Sequence, residues 1–161
     1  MMPQALKIPG YELTELIHEG VNTILYRGIT QQNAQPVILK ILKENYPTLD
    51  AIARLKHEYR MTENLDLDGV VKVYRLETYQ NRLALVCEDF GGQSLKQLLS
   101  SVTSLLAGKK GLEVKFFLTI AVQLAQALIS LHQHQIIHKD IKPGNIIINP
   151  TSGIVKLTDF S

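Results

Sequence analysis

The residues best suited to chemistry gather in IIHKDIKPGNIIINPTSGIVKLTDFS, residues 136–161, where Asp140, Lys142, Asn145 and Asp159 interrupt an otherwise apolar background. Two aspartates and an asparagine offer hard oxygen atoms of the kind that hold Mg²⁺. Lys142, two residues after Asp140, adds a cation suited to a phosphate. Two further charges stand earlier in the chain. Lys40 ends the run VILK and, taken alone, reads as a strand-end surface lysine. Glu58, taken alone, reads as a solvated helix residue, but it follows Leu55 by three and precedes Thr62 by four, which puts it on the packing side of a helix. A carboxylate aimed inward needs a partner.

These groups need elements to hold them. Tyr11–Ile17, Ile24–Ile29 and Gln35–Leu42 read as strands, the last rich in β-branched residues. Pro47 and Thr48 then open a helix, with Thr48 as N-cap and Ile52, Leu55, Tyr59 and Thr62 at helical spacing. Val70–Tyr74 and Leu83–Cys87 read as two more strands, and the pair Gly91, Gly92 as a hinge. Beyond it the pattern predicts a short helix over Ser94–Leu99, a loop around Gly108–Gly111 and a long helix from Glu113 to His134. The apolar face expected on that helix is Phe117, Ile120, Leu124, Ala127, Leu128 and Leu131. Ile146–Ile148 and Ile154–Leu157 return to strand around the turn-rich NPTSG.

Composition narrows the function classes. Of 161 residues, 45% are hydrophobic and 20% charged, which describes one globular chain able to bury a core without metals or disulfides. Seventeen Lys and Arg against fifteen Asp and Glu leave a charge of +2, too little for a nucleic-acid or anionic-membrane binder that works by counterion release. The single cysteine, Cys87, together with an N-terminus that lacks a signal-peptide pattern, predicts a reducing, cytoplasmic setting. Polar residues interrupt the most apolar stretch, Phe116–Leu131, so it is expected to be a buried helix and not a membrane span.

In order along the chain, LIHEGVNTILYRG, VILK, HEY, LALVCEDFGG, HKDIKPGN and TDFS resemble the motifs of the eukaryotic-type serine/threonine protein kinase family. The opening GYELTEL…YRG and the EDFGG segment look most like kinase domains of bacterial hybrid serine/threonine–histidine (multi-sensor) kinases. The resemblance implies an α+β, protein kinase-like fold. A ten-residue N-terminal extension would precede a complete β-rich N-lobe with one helix over 11–90, and an incomplete helical C-lobe would follow over 91–161. It implies ATP and Mg²⁺ as cofactors. Asp140 would accept or orient the proton of the substrate hydroxyl, Lys142 would neutralise the transferring phosphoryl group, and Asn145 and Asp159 would hold the metal. Lys40, positioned by Glu58, would contact the α and β phosphates, and Gly20 would lie in the nucleotide loop. Backbone groups of Glu88 and Phe90 would take adenine, with Cys87 at the gatekeeper position and Ile17, Leu25, Ile38 and Ile147 around the ring. His138 would brace Phe160 and the loop. Lys142 points to the serine/threonine class.

The departures are also specific. Of the three glycines of the family's nucleotide loop only Gly20 is present, flanked by His18 and Thr23. Ile38 stands in place of an alanine, Lys139 in place of the arginine of HRD, and Ser161 in place of the glycine of DFG. The chain stops at Ser161, ahead of the family's activation segment and peptide platform. The expectation is therefore that it phosphorylates no protein by itself and self-associates through an uncovered face around Phe117, Leu124 and Leu128. Two other functions compete: a pseudokinase-like nucleotide-binding or interaction module, favoured by the degraded loop and Ile38, and a small-molecule phosphotransferase, disfavoured by Lys142. His132, His134 and His138 lack neighbouring Cys or carboxylate ligands and read as solvated or packed, not metal-bound.

Overall fold

A computed structural model describes residues 7–105 and 113–160. The loop expected around Gly108–Gly111 and the position of Ser161 lie outside the described residues. The chain divides into two compact units. One contains the described residues up to Glu63 together with Val73–Asp89; the other contains Asn64–Lys72 and the described residues from Phe90 onward.

The first unit is a five-stranded antiparallel sheet with one helix. Strands β1 (Tyr11–Glu19), β2 (Thr23–Thr30), β3 (Pro36–Leu42), β4 (Val73–Tyr79) and β5 (Arg82–Glu88) lie in the order β1-β2-β3-β5-β4. Alternation along β3 separates the two faces of the sheet. Val37, Leu39 and Ile41 join Ala84, Val86, Tyr11 and Ile8 in a buried cluster. Ile38 and Lys40 fall on the other face. Helix α1 (Leu49–Thr62) packs on β4 and β5. Thr48 caps it as the sequence predicts, its Oγ1 accepting from the Ala51 N–H at 3.2 Å. Its inward side is Leu55, Glu58 and Thr62.

One strand is displaced from its predicted position. The apolar run Val70–Tyr74 is not a single strand: β4 begins at Val73 and runs on through RLETY, while Val70 and Val71 join the second unit. There Val70 forms a parallel bridge with Leu157, and the Val71 N–H donates to the Leu157 carbonyl at 2.9 Å. Because β4 is an edge strand, its polar outer positions disguise it, and Leu76 opposite Leu85 is its buried-side marker.

The second unit has a small sheet in the order β6 (Gln93–Ser94), β7 (Ile146–Ile148), β8 (Val155–Leu157), and two helices, α2 (Leu95–Leu105) and α3 (Val114–Gln133). Ile120, Ala127 and Leu131 of α3 pack with Val70, Ile146, Ile148, Val155, Leu157 and Phe160. Leu124 and Leu128 pack partly against the same cluster, so they are not the uncovered face that was expected. Phe117 does not belong to the buried stripe and is 55% exposed, in line with Val114, Leu118, Val122 and Ile129 on the outer side. The full twenty residues of α3 are long and apolar enough to cross a membrane by length and composition alone. One stripe of it, Ile120, Ala127 and Leu131, is buried, and the rest of its surface is largely exposed. Gln123 reaches across to the β7–β8 hairpin, accepting from the Val155 N–H at 2.9 Å and donating to the Gly153 carbonyl at 2.8 Å. Gly69 lies so close to α3 that a Cβ there would stand 2.4 Å from that of Ala127.

Candidate active site

In the first unit the sheet face opposite the buried cluster displays the residues expected to meet a nucleotide. Lys40 pairs in register with Leu25 on β2 and Leu85 on β5, and Ile38 with Arg27 and Cys87. Directly opposed residues of antiparallel strands share a face, so Leu25, Ile38 and Lys40 lie on one side. Ile17 falls at the irregularity in β1 between Leu16 and His18. Gly20 sits in the β1–β2 turn, where its N–H donates to the Thr23 carbonyl at 2.8 Å. The Lys40 Nζ lies 2.7 Å from Glu58 Oε2, with the two side chains 15% and 9% exposed. Two charges this sheltered hold each other in place, so the inward-facing carboxylate of α1 has its partner. At the end of β5, Glu88 stands opposite Val37. Arg27 anchors Asp89 at 2.6 Å and Glu15 at 2.7 Å. Burial disfavours the Arg27 cation, but these two carboxylates outweigh it and raise its pKa.

The second unit gathers the remaining polar residues around one loop. The Asp140 Oδ2 accepts from Lys142 Nζ at 2.6 Å and from Asn145 Nδ2 at 2.9 Å, and the same amide donates to the Asp140 carbonyl at 2.9 Å. The Lys142 ammonium is the main cause holding the Asp140 carboxyl below its ordinary pKa, with the Asn145 amide helping and slight burial opposing. Asp140 remains 40% exposed in its side chain. Asn145 is buried at the end of the 3-10 turn Pro143–Asn145.

Buried His138 organises this loop. The Asp140 N–H donates to its Nδ1 at 3.3 Å, so the proton resides on Nε2, which donates to the Thr158 carbonyl at 2.8 Å. Its ring stacks at a tilt on Phe160, 4.5 Å between centroids. Lys139 and Asp159 both take left-handed backbone conformations, φ 67° and 61°, that cost a non-glycine residue about 1–3 kcal/mol each. His138 ties together the segments that contain them, which is how the surrounding structure maintains the strain.

The donor set suits Mg²⁺. With both Asn145 amide hydrogens directed at Asp140, Oδ1 is the atom left to face a cation, and the Thr158 N–H to Asn145 carbonyl bond at 3.1 Å tethers the segment that carries Asp159. Among the described residues no group of three or more His, Cys, Asp or Glu forms a metal cage. Mg²⁺ bound by one or two carboxylates together with substrate phosphates needs none. His134 Nδ1 is engaged with the Ser130 carbonyl at 2.8 Å, a helix-end contact. Ile147 lies on β7 between Ser94 and Lys156.

Asn149, which in the sequence marks only the turn-rich NPTSG, makes a contact beyond that turn. Its Nδ2 donates to the Phe90 carbonyl at 2.6 Å, while its Oδ1 accepts from the Thr151 and Ser152 N–H groups at 2.9 and 3.1 Å. An asparagine opening NPTSG signals the turn, but nothing local signals the bond to a residue so distant in sequence.

Comparison with known proteins fits this geometry. The protein kinase domain family matches residues 11–161. A probable serine/threonine-protein kinase of Clostridium perfringens is 31% identical over 151 residues, covering 93% of this chain and 21% of that protein. The serine/threonine-protein kinase PrkC of Bacillus subtilis is 33% identical over 151 residues, 93% of this chain and 22% of its own length. A serine/threonine-protein kinase of Caenorhabditis briggsae is 32% identical over 149 residues, 91% of this chain and 12% of its own. The chain thus spans less than a quarter of each of these relatives. With the family matched from the first strand of the sheet through TDFS, the chain belongs to the protein kinase domain family.

Proposed function

We propose that this chain is the ATP-binding and catalytic-loop portion of a serine/threonine protein kinase, transferring the γ-phosphate of ATP to a protein hydroxyl. The observation that carries the reading is the cluster of Asp140, Lys142 and Asn145, in which one exposed carboxylate is oriented by a cation and an amide at 2.6 and 2.9 Å. Asp140 would receive or orient the hydroxyl proton, and Lys142 would turn from Asp140 to the transferring phosphoryl group as negative charge arrives. Asn145 and Asp159 would hold Mg²⁺, which supplies charge neutralisation at the phosphates. Lys40, held by Glu58, would bind the α and β phosphates. Backbone groups of Glu88 and Phe90 would take the adenine edge, Ile17, Leu25, Ile38 and Ile147 its faces, and Gly20 would contribute the nucleotide loop. Catalysis would rest on positioning and electrostatics. A cytoplasmic location belongs to the same proposal. The finer kinship with bacterial hybrid serine/threonine–histidine kinases rests on GYELTEL…YRG and EDFGG alone.

A pseudokinase-like module is the second reading, favoured by the β1–β2 turn: the Gly20 N–H is spent on the Thr23 carbonyl, and the His18 side chain lies beside the same glycine. Calorimetric titration with ATP, with and without Mg²⁺, separates the two. Metal-dependent binding that Lys40→Ala weakens supports the kinase reading, and metal-independent or unaltered binding contradicts it. In a chain extended to a complete family domain, Asp140→Asn should abolish transfer to a serine or threonine peptide with ATP affinity nearly intact.

A further inference from the structure

We infer that Asn149 is a positioning residue for adenine recognition, acting through the backbone of Phe90; this rests on the reading of the chain as an ATP-binding domain. The Asn149 side chain has two separate tasks. Its Oδ1 closes the β7–β8 turn on the Thr151 and Ser152 N–H groups, and its Nδ2 donates to the Phe90 carbonyl at 2.6 Å. A turn needs only the first. The backbone of Asn149 is itself anchored in the hairpin, its N–H donating to the Ile154 carbonyl at 2.9 Å and its carbonyl accepting from the Gly153 N–H at 2.8 Å. The amide therefore projects from a fixed base.

Everything around Phe90 agrees with a held position. Lys156 of β8 stands over the Phe90 ring at 5.2 Å from its centroid, so the same hairpin grips ring and backbone. Gly91 follows at φ 75°, and a Cβ there would lie 3.1 Å from Asn149 Nδ2. A Cβ on Gly92 would meet Ile147 Cγ2 at 2.4 Å and Phe90 Cζ at 2.9 Å. The two glycines that read as a hinge in the sequence are thus also the residues whose lack of side chains lets the linking segment close on β7 and on Asn149. The tethered carbonyl belongs to the Phe90–Gly91 peptide; with it and the following glycines held, the Phe90 backbone, one of the groups assigned to adenine, keeps a defined direction. Fixing it beforehand removes an ordering cost from nucleotide binding.

The two tasks of Asn149 can be separated by substitution. Asn149→Asp keeps an oxygen for the turn but replaces the donor to Phe90 with a carboxylate that repels its carbonyl. Asn149→Ala removes both. Calorimetry on the full chain would compare Mg-ATP with Mg-tripolyphosphate, which lacks adenine. The expected result is an ATP affinity about fivefold weaker in both variants, as for the loss of one net hydrogen bond, with tripolyphosphate affinity unchanged. Thermal unfolding should fall in Asn149→Ala and much less in Asn149→Asp. If wild type binds ATP and Asn149→Asp binds it equally well, or loses ATP and tripolyphosphate affinity in proportion, the positioning role is overturned. Failure of wild type to bind ATP would overturn the ATP-domain reading instead, and a comparison of amide signals of Phe90 between wild type and Asn149→Asp would then still test the tether: an unmoved Phe90 signal contradicts it.

Discussion

Replacing Lys40 by Met, Glu58 by Leu, and both together tests the ion pair where its energetics are least intuitive. At 2.7 Å the gross attraction is about 6 kcal/mol with an effective dielectric near 20. Withdrawing the two ions from water costs several kcal/mol each, which cancels most of that gain. The pair as a whole is therefore worth little against an apolar pair of similar volume. Removing one partner is another matter. With side chains only 15% and 9% exposed, the survivor is left in poor solvent. Lys40→Met removes the cation from beside Glu58, buried on α1, and should cost about 3 kcal/mol. Glu58→Leu removes this partner from an ammonium whose flexible stem can also reach water, so it should cost less, about 2 kcal/mol. The double variant should lie within about 1 kcal/mol of wild type, giving a coupling energy of about 4 kcal/mol between the sites. Urea unfolding followed by circular dichroism measures all four corners of the cycle. Additive losses, with the double variant destabilised by the sum of the singles, would refute the reasoning that the two charges compensate one another.

Other features give shorter tests. The Asp140 carboxyl should titrate below the ordinary aspartate range by carbon-detected NMR, and Lys142→Met should move it upward, because the Lys142 hydrogen bond is the main cause of the depression. Since the folded value lies below the unfolded one, the stability contributed by this contact is present above the unfolded pKa and is lost as pH falls through the folded value; Lys142→Met should flatten that acid limb. Gly69→Ala should destabilise the chain by about 1–3 kcal/mol through the clash with Ala127, and adding Ala127→Gly should recover part of the loss despite the cost of a mid-helix glycine. Leu131→Ala, at a fully buried position, should cost about 3 kcal/mol, whereas Phe117→Ala should change stability by less than about 0.5 kcal/mol; equal effects would mean that α3 is turned the other way.

Much of this was legible from local pattern. Thr48 announces its helix because N-capping chemistry is local, and the alternation of β3 separates Lys40 from the core because strand periodicity is local as well. The inward direction of Glu58 could be read from spacing, and its partner could then be named from the family motifs. What escaped depends on distant neighbours. Val70 and Val71 look continuous with Val73 until Leu157 is there to pair with them. Phe117 fits a helical stripe as well as Ile120 does, and only the position of the β7–β8 hairpin decides which of them is buried. The tether from Asn149 to Phe90 spans fifty-nine residues and leaves no trace in either segment.

The capture of Val70 and Val71 by the second unit has a consequence for how the chain emerges from a ribosome. Neither unit is a continuous stretch: the backbone passes from one to the other after Glu63, after Lys72 and after Asp89. The first unit can close its sheet once Glu88 has been made, with the Asn64–Lys72 segment looped out of it. That segment has no partner strand until Leu157 follows, long after its own synthesis. Two adjacent valines and their neighbouring leucines therefore wait uncovered while both helices of the second unit are translated, and chain-elongation rate across that interval sets how long an aggregation-prone edge is on display. Cutting the chain at Gly91 to isolate its second half would recreate that state permanently, because the excised piece would lack the Asn64–Lys72 segment, whose Val70 belongs to its core.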